Sequence, residues 1–221
     1  MFYSGVSKEF ESGKLFTYRE WKEVAKVDQL PSIHMFSASD CSIENYVINF
    51  SQYFSRYGYI ENCCFPIITS ECVDVLADIL KSKNVVDAGS GRGYLSKLLL
   101  DRGIRIQPFD ECSSLYGEPI WTDVIKANVE DATDLIGSAD AVILSWPSLE
   151  TDFGLSVVSK MSHDSILIYQ GESSGGCCAN DAFFEYLSEK FYSLDWYAEM
   201  LNKHHITFFG LHDYWHMFRK G

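Results

Sequence analysis

The stretch Val85-Val86-Asp87-Ala88-Gly89-Ser90-Gly91-Arg92-Gly93-Tyr94-Leu95 decides the fold. Apolar residues lead into an acid, three glycines follow at alternate positions, and the apolar rhythm of a helix begins at Tyr94. This is the pattern of a buried parallel strand, a tight turn and a helix N-terminus. Lacking Cβ atoms, the glycines let the backbone bend sharply and approach a ligand closely. Asp87 stands where the strand ends, placed to accept hydrogen bonds from the polar or cationic end of a bound molecule.

Spacing separates this loop from others of its kind. A Walker loop requires Gly-Lys-Ser/Thr after its glycines, and no such tripeptide follows. A dinucleotide loop reads G-x-G-x-x-G, whereas this one is Gly89-x-Gly91-x-Gly93 with an acid two places before the first glycine. Asp110, followed by Glu111, ends the next apolar run (Ile104, Ile106, Phe109). It lies about 20 residues on, where doubly wound folds place a carboxylate for ribose hydroxyls. A nicotinamide-binding domain and a glycine turn that binds nothing remain open alternatives.

Asp87, Gly89, Gly91 and Gly93 together resemble motif I of the class I S-adenosylmethionine-dependent methyltransferases. Further blocks are similar to a group of methyltransferase-like proteins of bacteria and fungi that carry Trp-Pro-Pro-Tyr, Gly-Glu-Gly and Gly-Gly-Cys-Thr in that order. Here they read Trp146-Pro147, Tyr169-Gln170-Gly171-Glu172, Gly175-Gly176-Cys177 with Asp181-Ala182-Phe183-Phe184, and Leu211-His212-Asp213. The likeness covers about Phe65 to Lys220 and names no substrate. Ser148-Leu149 stands where the group has Pro-Tyr, and Cys178 where it has Thr. Ser145-Trp146-Pro147-Ser148 also lacks the Asp/Asn-Pro-Pro-Tyr/Phe block of amino-methylating nucleic-acid enzymes.

The resemblance implies an α/β fold: a doubly wound, seven-stranded Rossmann-like sheet whose last strand is antiparallel. Residues 65–221 form this domain, and residues 1–64 a helical N-terminal extension or lid. S-adenosylmethionine is the expected cofactor, its methyl passing to a nucleophilic O, N or S. The expected cofactor site is Asp87, Ala88, Gly89, Ser90, Gly91, Gly93, Asp110, Glu111, Val129, Glu130, Ser145 and Trp146. Val129-Glu130-Asp131 falls where the family holds adenine, though a solvated acidic turn explains it nearly as well. Trp146 walls the methyl donor's pocket or is a core aromatic. Glu172, after the fifth strand, orients or deprotonates a nucleophile, or is a loop carboxylate. His212 opens the last strand, as a base near neutral pH or as a packing residue. A non-catalytic module that binds the cofactor without turnover is the alternative function.

Elsewhere the chain alternates as such a sheet requires. Helices are expected over Phe16–Val27, from Cys41 through Tyr59, from Ser70 to Lys81 behind a Thr69 or Ser70 cap, and over Tyr94–Arg102 ending at Gly103. Strands are expected at Val85–Ala88, Arg105–Phe109, Asp123–Asn128, Ala139–Ser145 and Ser165–Gln170. Ser113–Thr122 reads as a loop, Asp131–Ile136 as a helical turn and Leu155–Met161 as a helix. Gly171–Gly176 reads as a flexible loop, and Asn180 as the cap of a helix over Asp181–Lys190. Tyr192–Met200 and Asp213–Arg219 are expected to close the sheet as a hairpin.

Composition bounds the partners. The 221 residues carry 18 Lys and Arg against 31 Asp and Glu, a net charge of −13. A field of that sign repels phosphate backbones, so nucleic acid is a poor acceptor and a small molecule or protein a better one. With 47% hydrophobic residues the chain can bury a large core. No apolar run approaches a membrane span, and the N-terminus lacks a signal peptide's apolar block, so a soluble cytoplasmic protein is expected. The seven cysteines include the adjacent pairs Cys63-Cys64 and Cys177-Cys178, which suit free thiols better than a C-x-x-C metal or redox site. His204, His205 and His216 have no ligand-like companions, and no metal is expected.

Overall fold

A computed structural model describes residues 9–25, 55–112, 117–208 and 211–221. The helix expected from Cys41, and most of the periodic stretch Ile43–Tyr59, lie outside them.

The order of elements is α1 (Tyr18–Ala25), α2 (Ser70–Leu80), β1 (Asn84–Ala88), α3 (Tyr94–Leu100), β2 (Arg105–Phe109), α4 (Thr133–Gly137) and β3 (Ala141–Ser145). There follow α5 (Phe153–Lys160), β4 (Ile166–Glu172), α6 (Asp181–Lys190), β5 (Phe191–Ser193), α7 (Asp195–Asn202) and β6 (Asp213–Lys220). Among the described residues six strands form one sheet in the order β2-β1-β3-β4-β6-β5. The first four are parallel, and β6 runs antiparallel to β4 and to β5.

Each face of the sheet carries its own core. Val85, Ile143, Ile168 and Met217 point to one side, with α2, α3 and α7. Val86, Val142, Leu167 and Tyr169 point to the other, with α4, α5 and α6. Central strands apolar on both faces are the reason Ala141–Ser145 reads as an unbroken apolar run. Caps fix the helix starts: Cys72 N–H donates to Thr69 Oγ1 at 3.2 Å, and Phe183 N–H to Asn180 Oδ1 at 3.1 Å.

Three expectations need correction. The strand expected over Asp123–Asn128 is a single bridge, Phe109 to Ile125. Ile125 N–H donates to Pro108 O and Asp110 N–H to Ile125 O, so the next rung requires an N–H at position 108, which proline lacks. Residues 171 and 172 belong to β4, where Gly171 pairs with Tyr214 and Glu172 with Asp213, rather than to a flexible loop. The strand expected over Tyr192–Met200 stops at Ser193, and α7 follows. Leu194 N–H ends the ladder by donating to Met217 O, Asp195 sits in the helix's first turn, and Leu201 turns inward at helical spacing.

The N-terminal residues join the domain's core. Phe10, Phe16, Trp21, Tyr59 and Cys63 are buried in one cluster with Ile67, Ile68, Trp215 and Phe208.

Candidate functional site

The four parallel strands end on one edge, and the glycine loop leaves β1 there. Gly89 N–H and Ser90 N–H donate to Phe109 O at 2.9 and 3.1 Å, drawing the loop over the end of β2. Gly89 (φ +71°) and Gly93 (φ +73°) are left-handed. A Cβ on Gly93 would stand 2.8 Å from Thr122 Cγ2, so that position needs glycine for packing as well as conformation.

A cavity of about 270 Å³ opens beside the loop. Asp87, Gly89, Ser90, Gly91, Ser145 and Trp146 line it from the sheet, and Ile60, Cys63, Cys64 and Phe65 line it from the N-terminal side. The loop holds that second wall in place. Arg92 Nη1 donates to Ile60 O at 3.3 Å and also to Glu61 O, while Trp121 N–H donates to Arg92 O and Trp121 Nε1 to Asn62 O, both at 2.9 Å. Burial pushes the Cys63 thiol up to about 12 and raises that of Cys64 as well, so both stay protonated and line the cavity as apolar groups.

Two carboxylates flank the loop. Asp87 is buried, accepts from Ser96 Oγ at 2.7 Å, and is pushed up to about 6 by burial, against the Ser96 bond and with the Asp110 charge adding to the rise. Asp110 accepts from Gly91 N–H at 2.9 Å and from Cys112 N–H at 2.7 Å. Its carboxyl is raised by burial, partly offset by those two bonds. Ser145 Oγ and Trp146 Nε1, on the cavity's far wall, are buried without a hydrogen-bond partner among the described residues. Trp146 itself sits at φ +49°, a strained conformation for a non-glycine residue, with its N–H donating to Gln170 O at 2.8 Å.

No model of a known protein family matches the sequence, and no curated protein does. Solved structures similar to it include magnesium protoporphyrin IX methyltransferase from Synechocystis PCC 6803 with bound SAM, at 16% identity over 68% of this chain and 76% of that one, with a TM-score of 0.46. Another is the 1,6-didemethyltoxoflavin-N1-methyltransferase of Burkholderia thailandensis, at 17% identity over 84% and 93%, with a TM-score of 0.42. A third is a SAM-dependent methyltransferase from Archaeoglobus fulgidus, at 16% identity over 67% and 94%, with a TM-score of 0.42.

Of the residues expected at the site, Asp87, Gly89, Ser90, Gly91, Ser145 and Trp146 share the cavity, and Asp110 is bonded to its loop. Ala88 and Gly93 shape the turn from within the fold, Ala88 fully buried in the opposite core. Glu111 is exposed. Val129 packs in the core on the α4–α6 side, and Glu130 pairs with Lys160 at 2.9 Å; neither lines the cavity.

Glu172 and His212 meet in an unexpected way. Glu172 Oε2 accepts from Cys177 N–H at 2.8 Å and Oε1 from His212 N–H at 2.9 Å, so both carboxylate oxygens clamp backbone. The His212 side chain is exposed. Burial alone would raise the Glu172 carboxyl, but the bonds from Cys177 and His212 outweigh it and hold it below its usual value. Glu172→Gln sets an amide NH₂ against one of those N–H groups and is expected to cost about 1–3 kcal/mol near neutral pH. A depressed carboxyl contributes stability above its unfolded pKa that is lost as pH falls through the folded one. Urea unfolding should therefore show the gap between wild type and variant closing in acid.

Sequence reading missed the polar group beside this clamp. Asp213 is buried, its Oδ2 accepting from Gln170 Nε2 at 2.7 Å and lying 3.2 Å from His205 Nε2 without hydrogen-bond alignment. Strand alternation was the available signal: with Trp215 and Met217 facing the core, Asp213 faces the same way, and His212 does not.

Among the described residues no cluster of three His, Cys, Asp or Glu side chains is placed to hold a metal, and no helix is long and apolar enough to cross a membrane. The six described cysteines are free.

Proposed function

We propose that this chain binds S-adenosylmethionine beside the glycine loop and transfers its methyl group to a nucleophilic O, N or S of a small molecule or protein. One observation carries the reading: a left-handed glycine loop and a buried acid at the end of β1 line one cavity at the carboxyl edge of the parallel strands, and a second acid after β2 is hydrogen-bonded to that loop. Open α/β sheets bind nucleotides at that edge. The residues suit the cofactor. Asp87 offers a carboxylate to a cationic amine, Asp110 retains lone pairs for ribose hydroxyls, and the unpartnered Ser145 Oγ and Trp146 Nε1 offer further hydrogen bonds.

Bound S-adenosylmethionine supplies a methyl group already activated by its sulfonium. What remains for the protein is to align the acceptor, exclude water and take up a proton. The net charge of −13 opposes a nucleic-acid acceptor. A non-catalytic binding module is the second reading, supported by the engagement of both Glu172 oxygens in backbone bonds. Labelled methyl transfer, absent in that case, separates the two.

Thermal unfolding tests the cofactor. S-adenosylhomocysteine at about 100 times its Kd stabilises by about 2.7 kcal/mol through mass action. A rise in Tm of several degrees is expected, with none from NAD. A rise with NAD and none with S-adenosylhomocysteine would contradict the reading.

A further inference from the structure

The glycine loop and the N-terminal wall of its cavity are joined at one helix end. The helical segment 55–62 runs into that wall, where Ile60, Cys63 and Cys64 line the cavity. The last carbonyls of a helix have no partner within it and need donors from elsewhere. Here the glycine loop and the stretch after β2 supply them. Arg92 Nη1 donates to Ile60 O at 3.3 Å and to Glu61 O, and Trp121 Nε1 donates to Asn62 O at 2.9 Å. A guanidinium at this position also complements the negative end of the helix.

Both donors are fixed from the loop side. Trp121 N–H donates to Arg92 O at 2.9 Å, and Gly93 N–H donates to Ser90 O at 2.9 Å, closing the turn that presents Arg92. The Trp121 ring meets Tyr94 edge to face at 5.3 Å, and a Cβ on Gly13 would stand 2.2 Å from it. Tyr94 Oη donates to Gly13 O at 3.3 Å. The indole is thus lodged between the start of α3, the helix end and the backbone at Gly13. Arg92 borders the cavity while its guanidinium grips the wall.

Resting on the cofactor reading, we propose that Arg92 and Trp121 are positioning residues that couple seating of the N-terminal wall to cofactor binding. They hitch the wall to the glycine loop, so the cavity is complete only while the helix end stays seated. A ligand gripped from both sides binds the seated form alone, and its apparent affinity falls in proportion to the fraction of molecules seated. The linkage is reciprocal. Whatever unseats the wall weakens binding by the same factor, and bound ligand seats the wall again.

Amide hydrogen exchange of the 55–62 segment reports seating, with β3 and β4 as the internal control for global unfolding. Calorimetric titration of S-adenosylhomocysteine reports binding. In Arg92→Met the segment is expected to exchange about tenfold faster in the free protein, with β3 and β4 unchanged, and the affinity to fall by the same factor. Saturating S-adenosylhomocysteine should bring the exchange back to within about threefold of wild type. Arg92→Lys keeps a cation and N–H donors at the helix end and should stay within about threefold of wild type in both readouts. Trp121→Phe keeps an aromatic ring but loses the Nε1 donor, with an expected change of about fivefold in each. Affinity lost without faster exchange would mean that Arg92 acts on the ligand directly. Faster exchange without lost affinity would mean that the wall takes no part in binding. Either result, or no change in both readouts, overturns the coupling. Folded wild type that binds no S-adenosylhomocysteine overturns the cofactor reading and the coupling with it.

Discussion

Trp21→Ala is expected to destabilise the protein by about 3–5 kcal/mol, the range for deleting a large buried aromatic. Trp21 is fully buried and packs against Phe10, Phe16, Tyr59 and Phe208 at centroid distances of 5.1 to 5.9 Å. Its Nε1 donates to Ile68 O at 3.3 Å, so the substitution also strips a partner from a buried carbonyl. Tyr59 lies within the 55–62 helical segment, whose Ile60 lines the cavity, and it packs on Tyr94 at the start of α3. Loss of Trp21 should therefore weaken ligand binding as well as folding. Urea unfolding with tryptophan fluorescence measures the first effect. A cost near 1 kcal/mol would show that residues 9–25 lie on the domain without being part of its core.

Asp87→Asn is expected to stabilise the free protein and weaken cofactor binding. The Asp87 carboxyl lies near 6 in the folded chain against an ordinary value of 3.8. The folded state thus binds more protons than the unfolded one between those limits, and stability falls as pH rises through the window. Above it the ionised acid costs about 2–3 kcal/mol, which the neutral amide avoids. The gain should be full near pH 8 and vanish near pH 4, while Asn Oδ1 still accepts from Ser96. Affinity for a cationic ligand should fall by about tenfold or more with the lost charge. A variant less stable than wild type at pH 8 would mean that the ionised carboxylate has partners beyond Ser96.

Much of this arrangement was legible in the residues. Val85–Ala88, Ala141–Ser145 and Ile166–Gln170 are buried on both faces and so read as apolar runs, and Thr69 and Asn180 announce their helices by capping. The strand expected over Asp123–Asn128 stops at one bridge beside Pro108, where the missing N–H sits on β2 and not on the stretch it disables. α7 was misread because Trp196 and Tyr197 have the composition of a strand, yet both are exposed on the helix. At the site, the glycine loop and Asp110 followed from spacing. Gln170, His205 and Asp213 come from separate stretches and meet through tertiary packing, which no local pattern records. Glu172 closes β4 and His212 precedes β6, but their neighbours, not their positions, decide what their side chains do.

Calorimetric titration of S-adenosylhomocysteine into wild type and Asp110→Ala tests the cofactor site most directly. Micromolar binding by wild type, weakened by about tenfold or more in the variant, is expected from the loss of charged hydrogen bonds to ribose. Folded wild-type protein that binds neither S-adenosylhomocysteine nor S-adenosylmethionine would contradict it, leaving the glycine loop as a structural turn.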